Sequence, residues 1–179
     1  GRHAGAGNLI DVLKAKHSVG MASGIVNAPA GNWDPSIDKT IAFSYGADNH
    51  REGKAANKRE LQKACGLEED ADAPVIFWPS RLDPVQKGCQ LLADILFRVV
   101  SDYSALGLQF VFVADGPFRK YFEQISDFHG LRKRVAVCTF AEGLSRQSFA
   151  GSDYVIMPSA YEPCGLAQII ALKYGSLPI

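Results

Sequence analysis

The chain has no surplus of charge. Lysine and arginine total 19 and aspartate and glutamate total 19, so the formal net charge of its 179 residues is zero. A balanced surface produces no long-range field, which argues against nucleic acid or an anionic membrane as a partner gathered by charge. Any anion it binds must be held by a local site. Also missing is an apolar run near the roughly 18 residues that a spanning helix needs. The opening "GRHAGAGNLIDVLKAKH" lacks the charged-then-apolar layout of a secretory leader, so a soluble, non-secreted protein is expected. Cysteine is scarce. Cys65, Cys89, Cys138 and Cys164 lie far apart, with no CxxC pair and no histidine at ligand spacing. They are read as buried reduced thiols rather than as a zinc site or a disulfide framework.

What is present is ample apolar material, 47% of the residues, enough for a packed core. Five apolar runs of strand length recur: "PVIFWPS" (74–80), "LQFVFVADG" (108–116), "RVAVCTF" (134–140), "DYVIMPS" (153–159) and "SLPI" (176–179). They are continuous rather than alternating, as strands buried on both faces are. Helical periodicity fills the gaps. Leu92, Ile95, Leu96, Val99, Val100 and Tyr103 recur at three and four residue steps, as do Tyr121, Phe122, Ile125 and Phe128 before a Gly130 stop. Alternating strands and helices demand right-handed crossovers, hence a doubly wound α/β domain with a parallel, Rossmann-like sheet.

The pattern is expected to run over residues 57–179, from the helix "NKRELQKACGL" with Gly66 as a left-handed cap. Residues 1–56 read as the end of an N-terminal region and an interdomain linker. A short amphipathic helix is expected at "NLIDVLKAKH", followed by a stretch that Pro29, Gly31, Pro35 and Gly46 keep irregular. Both ends look cut, since "GSLPI" reads as a helix stop running into a core strand.

Ligands of an open parallel sheet bind beyond the carboxyl ends of its strands, and three stretches fall there. In "SRLDPVQKG", Arg81 follows a strand and Lys87 stands six residues later at the start of a helix. A loop of that length lets both cations face one pocket beside helix amides, which makes an anion site; the plainer alternative pairs Arg81 with Asp83 and leaves Lys87 in solvent. In "VADGPFRK", Gly116 permits a tight turn, which reads first as a simple connection. In "PSAYEPCGLAQ", Pro163 suits a first helical position, Gly165 leaves the following amides uncovered, and Glu162 stands at the positive helix end. Glu162 could do no more than stabilise that helix. Taken together, two cations, a carboxylate and free amides describe a pocket for a sugar carried on a diphosphate.

These residues sit in a wider pattern. "GIVN", "NWDPSIDKTI", "ANKRELQ", "SRLDPVQKG" and above all "FAEGLSRQSFAGSDYVIMPSAYEPCGLAQIIALKYGSLPI" resemble the starch and glycogen synthases, retaining glycosyltransferases, over nearly the whole chain. The resemblance implies the C-terminal, donor-binding half of a two-domain enzyme that moves glucose from ADP-glucose, or UDP-glucose, to the non-reducing end of an α-1,4-glucan. It implies that Arg81 and Lys87 grip the donor diphosphate and Glu162 holds glucose hydroxyls. The amides of Cys164, Gly165 and Leu166 would contact sugar and phosphate, and Asn27 would face the cleft. No cofactor or metal is implied, because the protein supplies the positive charge, and the N-terminal domain would be a separate part. Bacterial cytoplasm or plastid stroma would suit such an enzyme. The sequence departs from the family at "NAPA", where NGID or NGVD is usual, at Arg146 in place of histidine, and at Ala160 in place of arginine. A non-catalytic nucleotide-sugar or glucan-binding module on the same fold is the alternative.

Overall fold

The computed structural model describes residues 9–179. Its helices are α1 (Ile10–Ser18), α2 (His50–Cys65), α3 (Cys89–Asp102), α4 (Arg119–Phe128), α5 (Glu142–Gly151) and α6 (Leu166–Lys173). Its strands are β1 (Val75–Trp78), β2 (Gln109–Val113), β3 (Val135–Cys138), β4 (Tyr154–Val155) and β5 (Leu177–Pro178). They form one parallel sheet in the order β3-β2-β1-β4-β5. In the middle, Phe77 stands opposite Val111 on one side and Val155 on the other.

The unbroken apolar runs follow from this layering. Val75 and Phe77 point to one face, where they meet Leu61 of α2, Phe149 of α5 and Ile170 of α6. Ile76 and Trp78 point to the other, against Leu92, Leu96 and Val100 of α3 and Phe122 of α4. A strand with a core on each side has no solvent face on which to place polar residues.

The helical boundaries differ from expectation in instructive ways. The second helix opens at His50, well before residue 57, because the Gly46 amide donates to Asn49 Oδ1 (2.8 Å) and a 3-10 turn at Ala47–Asn49 leads straight into it. Gly66 closes it in the left-handed region, at φ 67°. Helix α1 forms but buries none of its residues. Within the stretch read as a linker, Ile41 and Tyr45 are buried, and the Tyr45 hydroxyl donates to the Tyr174 carbonyl at 2.7 Å. Trp33 packs edge-on against Phe149 and Tyr174, with ring centroids 5.8 and 6.3 Å away. Residues 33–45 thus help to close the α2, α5 and α6 face of the sheet.

Candidate functional site

Strand order locates the site. The chain leaves β1 for α3 on one face and leaves β4 for α6 on the other, so the adjacent carboxyl ends of β1 and β4 open a crevice between diverging loops. The β1 loop carries Arg81 and Lys87; the β4 loop carries "PSAYEPCG".

The two loops are joined backbone to backbone. The Ala160 amide donates to the Gln86 carbonyl at 2.8 Å. Gly88 adopts φ 71°, and a Cβ there would lie 2.2 Å from the Pro158 carbonyl oxygen. Only a residue without a side chain allows this approach. Helix α3 therefore starts at Cys89, with left-handed Gly88 as its N-cap, and Lys87 sits just outside the helix rather than in its first turn. Asp83 shapes the turn by accepting from the amides of Val85 (2.9 Å) and Gln86 (2.8 Å). The Gln86 amide, then that of Val85, outweighs the small effect of desolvation and holds the Asp83 carboxyl below its usual range.

Lys87 is only 8% exposed and forms an ion pair with Glu162 across the crevice. The plainer alternative for Lys87, a solvated surface lysine, is thereby ruled out. Arg81 makes no ion pair, with Asp83 or any other carboxylate, among the described residues. It is exposed on the same rim and lines a cavity of about 560 Å3 with Ser80, Asp115, Gly116 and Phe140. One loop thus presents a paired cation at the β1/β4 crevice and an unpaired one beside β2, so the two cations do not line one cavity as expected: the loop turns at Asp83 and carries Lys87 to the β4 side.

The corner after β4 differs from expectation in one respect. Helix α6 begins at Leu166, so Pro163 lies on a bend before it rather than at its first position. Gly165, at φ 74°, is the N-cap, and a left-handed residue there breaks the helical path that Pro163 would otherwise start. The chemical outcome stands. The amides of Cys164, Gly165, Leu166 and Ala167 find no acceptor among the described residues, and they point from the positive end of a helix. Leu166 and Ala167 also border a second cavity of about 330 Å3, which shares Pro79 and Phe140 with the first. The Cys164 thiol donates to the Asn27 carbonyl at 3.1 Å, so the structure brings exposed Asn27 to this corner.

Three features go beyond the sequence reading. Gly116, at φ 145°, lies so close to the β1 loop that a Cβ would stand 2.6 Å from the Leu82 carbonyl; the "VADGP" turn is a wall of the cavity as well as a connection. Phe140 lines both cavities; its place just beyond an apolar strand was the available signal. The Ser159 hydroxyl is buried with no partner among the described residues. An unpaired buried hydroxyl is costly, and this one belongs to the β4 loop that also carries Glu162. The cysteines depart from expectation too, since only Cys89 is buried and the other three are half-buried.

This arrangement can neutralise a diphosphate, accept from sugar hydroxyls at Glu162 and donate amides to either. The chain is 41% identical over 149 residues to a glycogen synthase of Syntrophotalea carbinolica, covering 82% of this chain and 29% of that protein. It is 37% identical over 176 residues to a glycogen synthase of Bacillus cereus, covering 97% and 35%. It thus spans about a third of the length of these curated relatives. The catalytic domain of starch synthase IV from Arabidopsis thaliana, solved bound to ADP and acarbose, superposes with a TM-score of 0.80 at 32% identity, over 95% of this chain and 34% of that one. The family model described as "Glycosyl transferases group 1" matches residues 73–179, the whole sheet with both crevice loops. By its sheet, its glycine turns and its sequence, the chain belongs to the glycosyl transferases of group 1.

Proposed function

We propose that this chain is the donor-binding half of an α-glucan synthase, which passes glucose from ADP-glucose, with UDP-glucose as the alternative donor, to the non-reducing end of an α-1,4-glucan with retention. The observation that carries the reading is the Lys87–Glu162 pair across the β1/β4 crevice, beside the free amides of residues 164–167. Its relatives are glycogen synthases by name, and ADP is the nucleotide bound in the starch synthase neighbour.

The chemistry follows from charge. In the free protein Lys87 and Glu162 neutralise each other. As the glycosidic bond to the donor breaks, negative charge grows on the departing diphosphate, and a fixed cation binds that state more strongly than the ground state. Lys87 and Arg81 supply the cations. Glu162, at the α6 end of the crevice, accepts from glucose hydroxyls and keeps the reacting carbon in line.

The test is transfer of labelled glucose from ADP-glucose to glycogen by the full-length protein. A charge-assisted contact is worth roughly 1.5–3 kcal/mol, so Lys87→Ala should lower turnover by about one to two decades. Unchanged turnover in that variant would overturn the assignment. The present chain, about a third of the length of the relatives, is not expected to transfer glucose alone. One observation favours a second reading, a module that binds the donor without transfer: the departing "NAPA" segment lies against the corner through the Asn27–Cys164 contact. Donor binding without transfer in the full-length protein would select it.

A further inference from the structure

Away from the crevice, the last residue of α2, Cys65, faces the last residue of β3, Cys138, with their Sγ atoms 3.9 Å apart. We propose that Cys65 and Cys138 form a redox-active dithiol, oxidised by a small disulfide such as oxidised glutathione to an intramolecular disulfide. Three observations carry this.

The first is proximity between residues distant in sequence, each at the end of its element, where a small shift does not disturb a helix or strand interior. A disulfide bond of about 2.0 Å requires the two sulfurs to move closer from this contact. The second is access. Both cysteines are half-buried and line a cavity of about 450 Å3, together with Glu123, Asp127 and Arg132. The mouth is lined by charged side chains, so the sulfurs are reached from solvent. The third is asymmetry between the two thiols. Hydrogen bonding from Cys65, helped by the nearby Arg119 guanidinium, outweighs burial and pulls the Cys138 pKa down, while the same contact and burial push Cys65 up. The Arg119 guanidinium, which donates to Thr139 Oγ1 at 2.6 Å, stands beside Cys138 and favours its ionised form, so Cys138 is assigned as the attacking thiolate and Cys65 as the resolving thiol. By contrast, Cys89 is buried, and Cys164 spends its thiol on the Asn27 carbonyl.

The steps balance. Cys138 thiolate attacks one sulfur of oxidised glutathione, forming a mixed disulfide and releasing one glutathione thiolate. Cys65 gives its proton to solvent, attacks Cys138 Sγ and releases the second. Two protein thiols are oxidised and one disulfide reagent is reduced to two thiols. The bond would fasten α2 to the end of β3, two residues before Phe140 of the donor cavity.

The experiment is incubation of the folded protein with oxidised glutathione, acid quenching, digestion and mass spectrometry. The expected product is a peptide pair joined through Cys65 and Cys138, reversed by dithiothreitol, with no cross-link to Cys89 or Cys164. Cys65→Ser should stop at the mixed disulfide on Cys138. Glutathione adducts on the wild type without the Cys65–Cys138 bond would overturn the proposal. So would a bond that forms only after unfolding in urea.

Discussion

Gly88 carries two constraints at once, a left-handed backbone and a contact with the Pro158 carbonyl that leaves no room for a methyl group. Gly88→Ala should therefore destabilise the protein by about 1–3 kcal/mol, the usual cost of a strained backbone position, read as a lower urea midpoint. It should also weaken donor binding, because Lys87 is positioned by the residue that follows it. Ser159 predicts the opposite. Its buried hydroxyl has no partner among the described residues, so Ser159→Ala should leave the free protein at least as stable in urea. A drop of more than about 1 kcal/mol would show that the hydroxyl already has a partner. Lys87 differs from both, for its removal takes a cation from the crevice and leaves Glu162 largely buried and unpaired. That residual negative charge would repel a diphosphate, adding to the loss of the contact itself.

Among the elements, the irregular segment 32–40 is held to α5 by a buried polar group. Buried Arg146 donates to Asp38 Oδ2 at 3.1 Å, to Glu142 Oε1 at 3.0 Å and to the Asn32 carbonyl at 3.0 Å, and it lies 3.9 Å over the Trp33 ring. The Tyr174 hydroxyl completes the group by donating to the same oxygen of Asp38. Breaking such a buried pair leaves an uncompensated charge. Arg146→Ala should cost about 3–5 kcal/mol by urea unfolding. This junction was not legible in sequence: Arg146 read only as a departure from the family's usual histidine, and Asp38 only as part of the "NWDPSIDKTI" stretch. Their partners lie more than 100 residues apart, and no local periodicity reports such a contact. The strands and helices were legible because burial on both faces leaves continuous runs in β1 and β2, and a single buried stripe leaves periodic ones in α3 and α4. The start of α2 was missed because its signal is an amide contact from Gly46 to Asn49 rather than an apolar pattern.

Across the whole molecule, the Asp38 group also sets a pH dependence. Burial works to raise the Asp38 pKa, but hydrogen bonds from Tyr174, Thr40 and Arg146 outweigh it and hold the carboxyl below its usual range. A carboxylate depressed in the folded state contributes stability that is fully present above its unfolded value of about 3.9 and is lost as pH falls through the folded value. The unfolding free energy should thus decline below about pH 4, and less steeply in Asp38→Asn, as denaturant titrations at successive pH values would show. At this scale the sequence supplied the types of chemistry but not their arrangement. Arg81, Lys87 and Glu162 could be picked out one by one, yet which strand ends adjoin depends on the order β3-β2-β1-β4-β5, which packing of both faces decides. That order places the Lys87 and Glu162 loops side by side and makes one crevice of them. Calorimetric titration of ADP into the wild type, Arg81→Ala and Lys87→Ala tests this most directly. Dissociation constants about tenfold to a hundredfold weaker in both variants are predicted, and ADP affinity unchanged by either substitution would contradict the account.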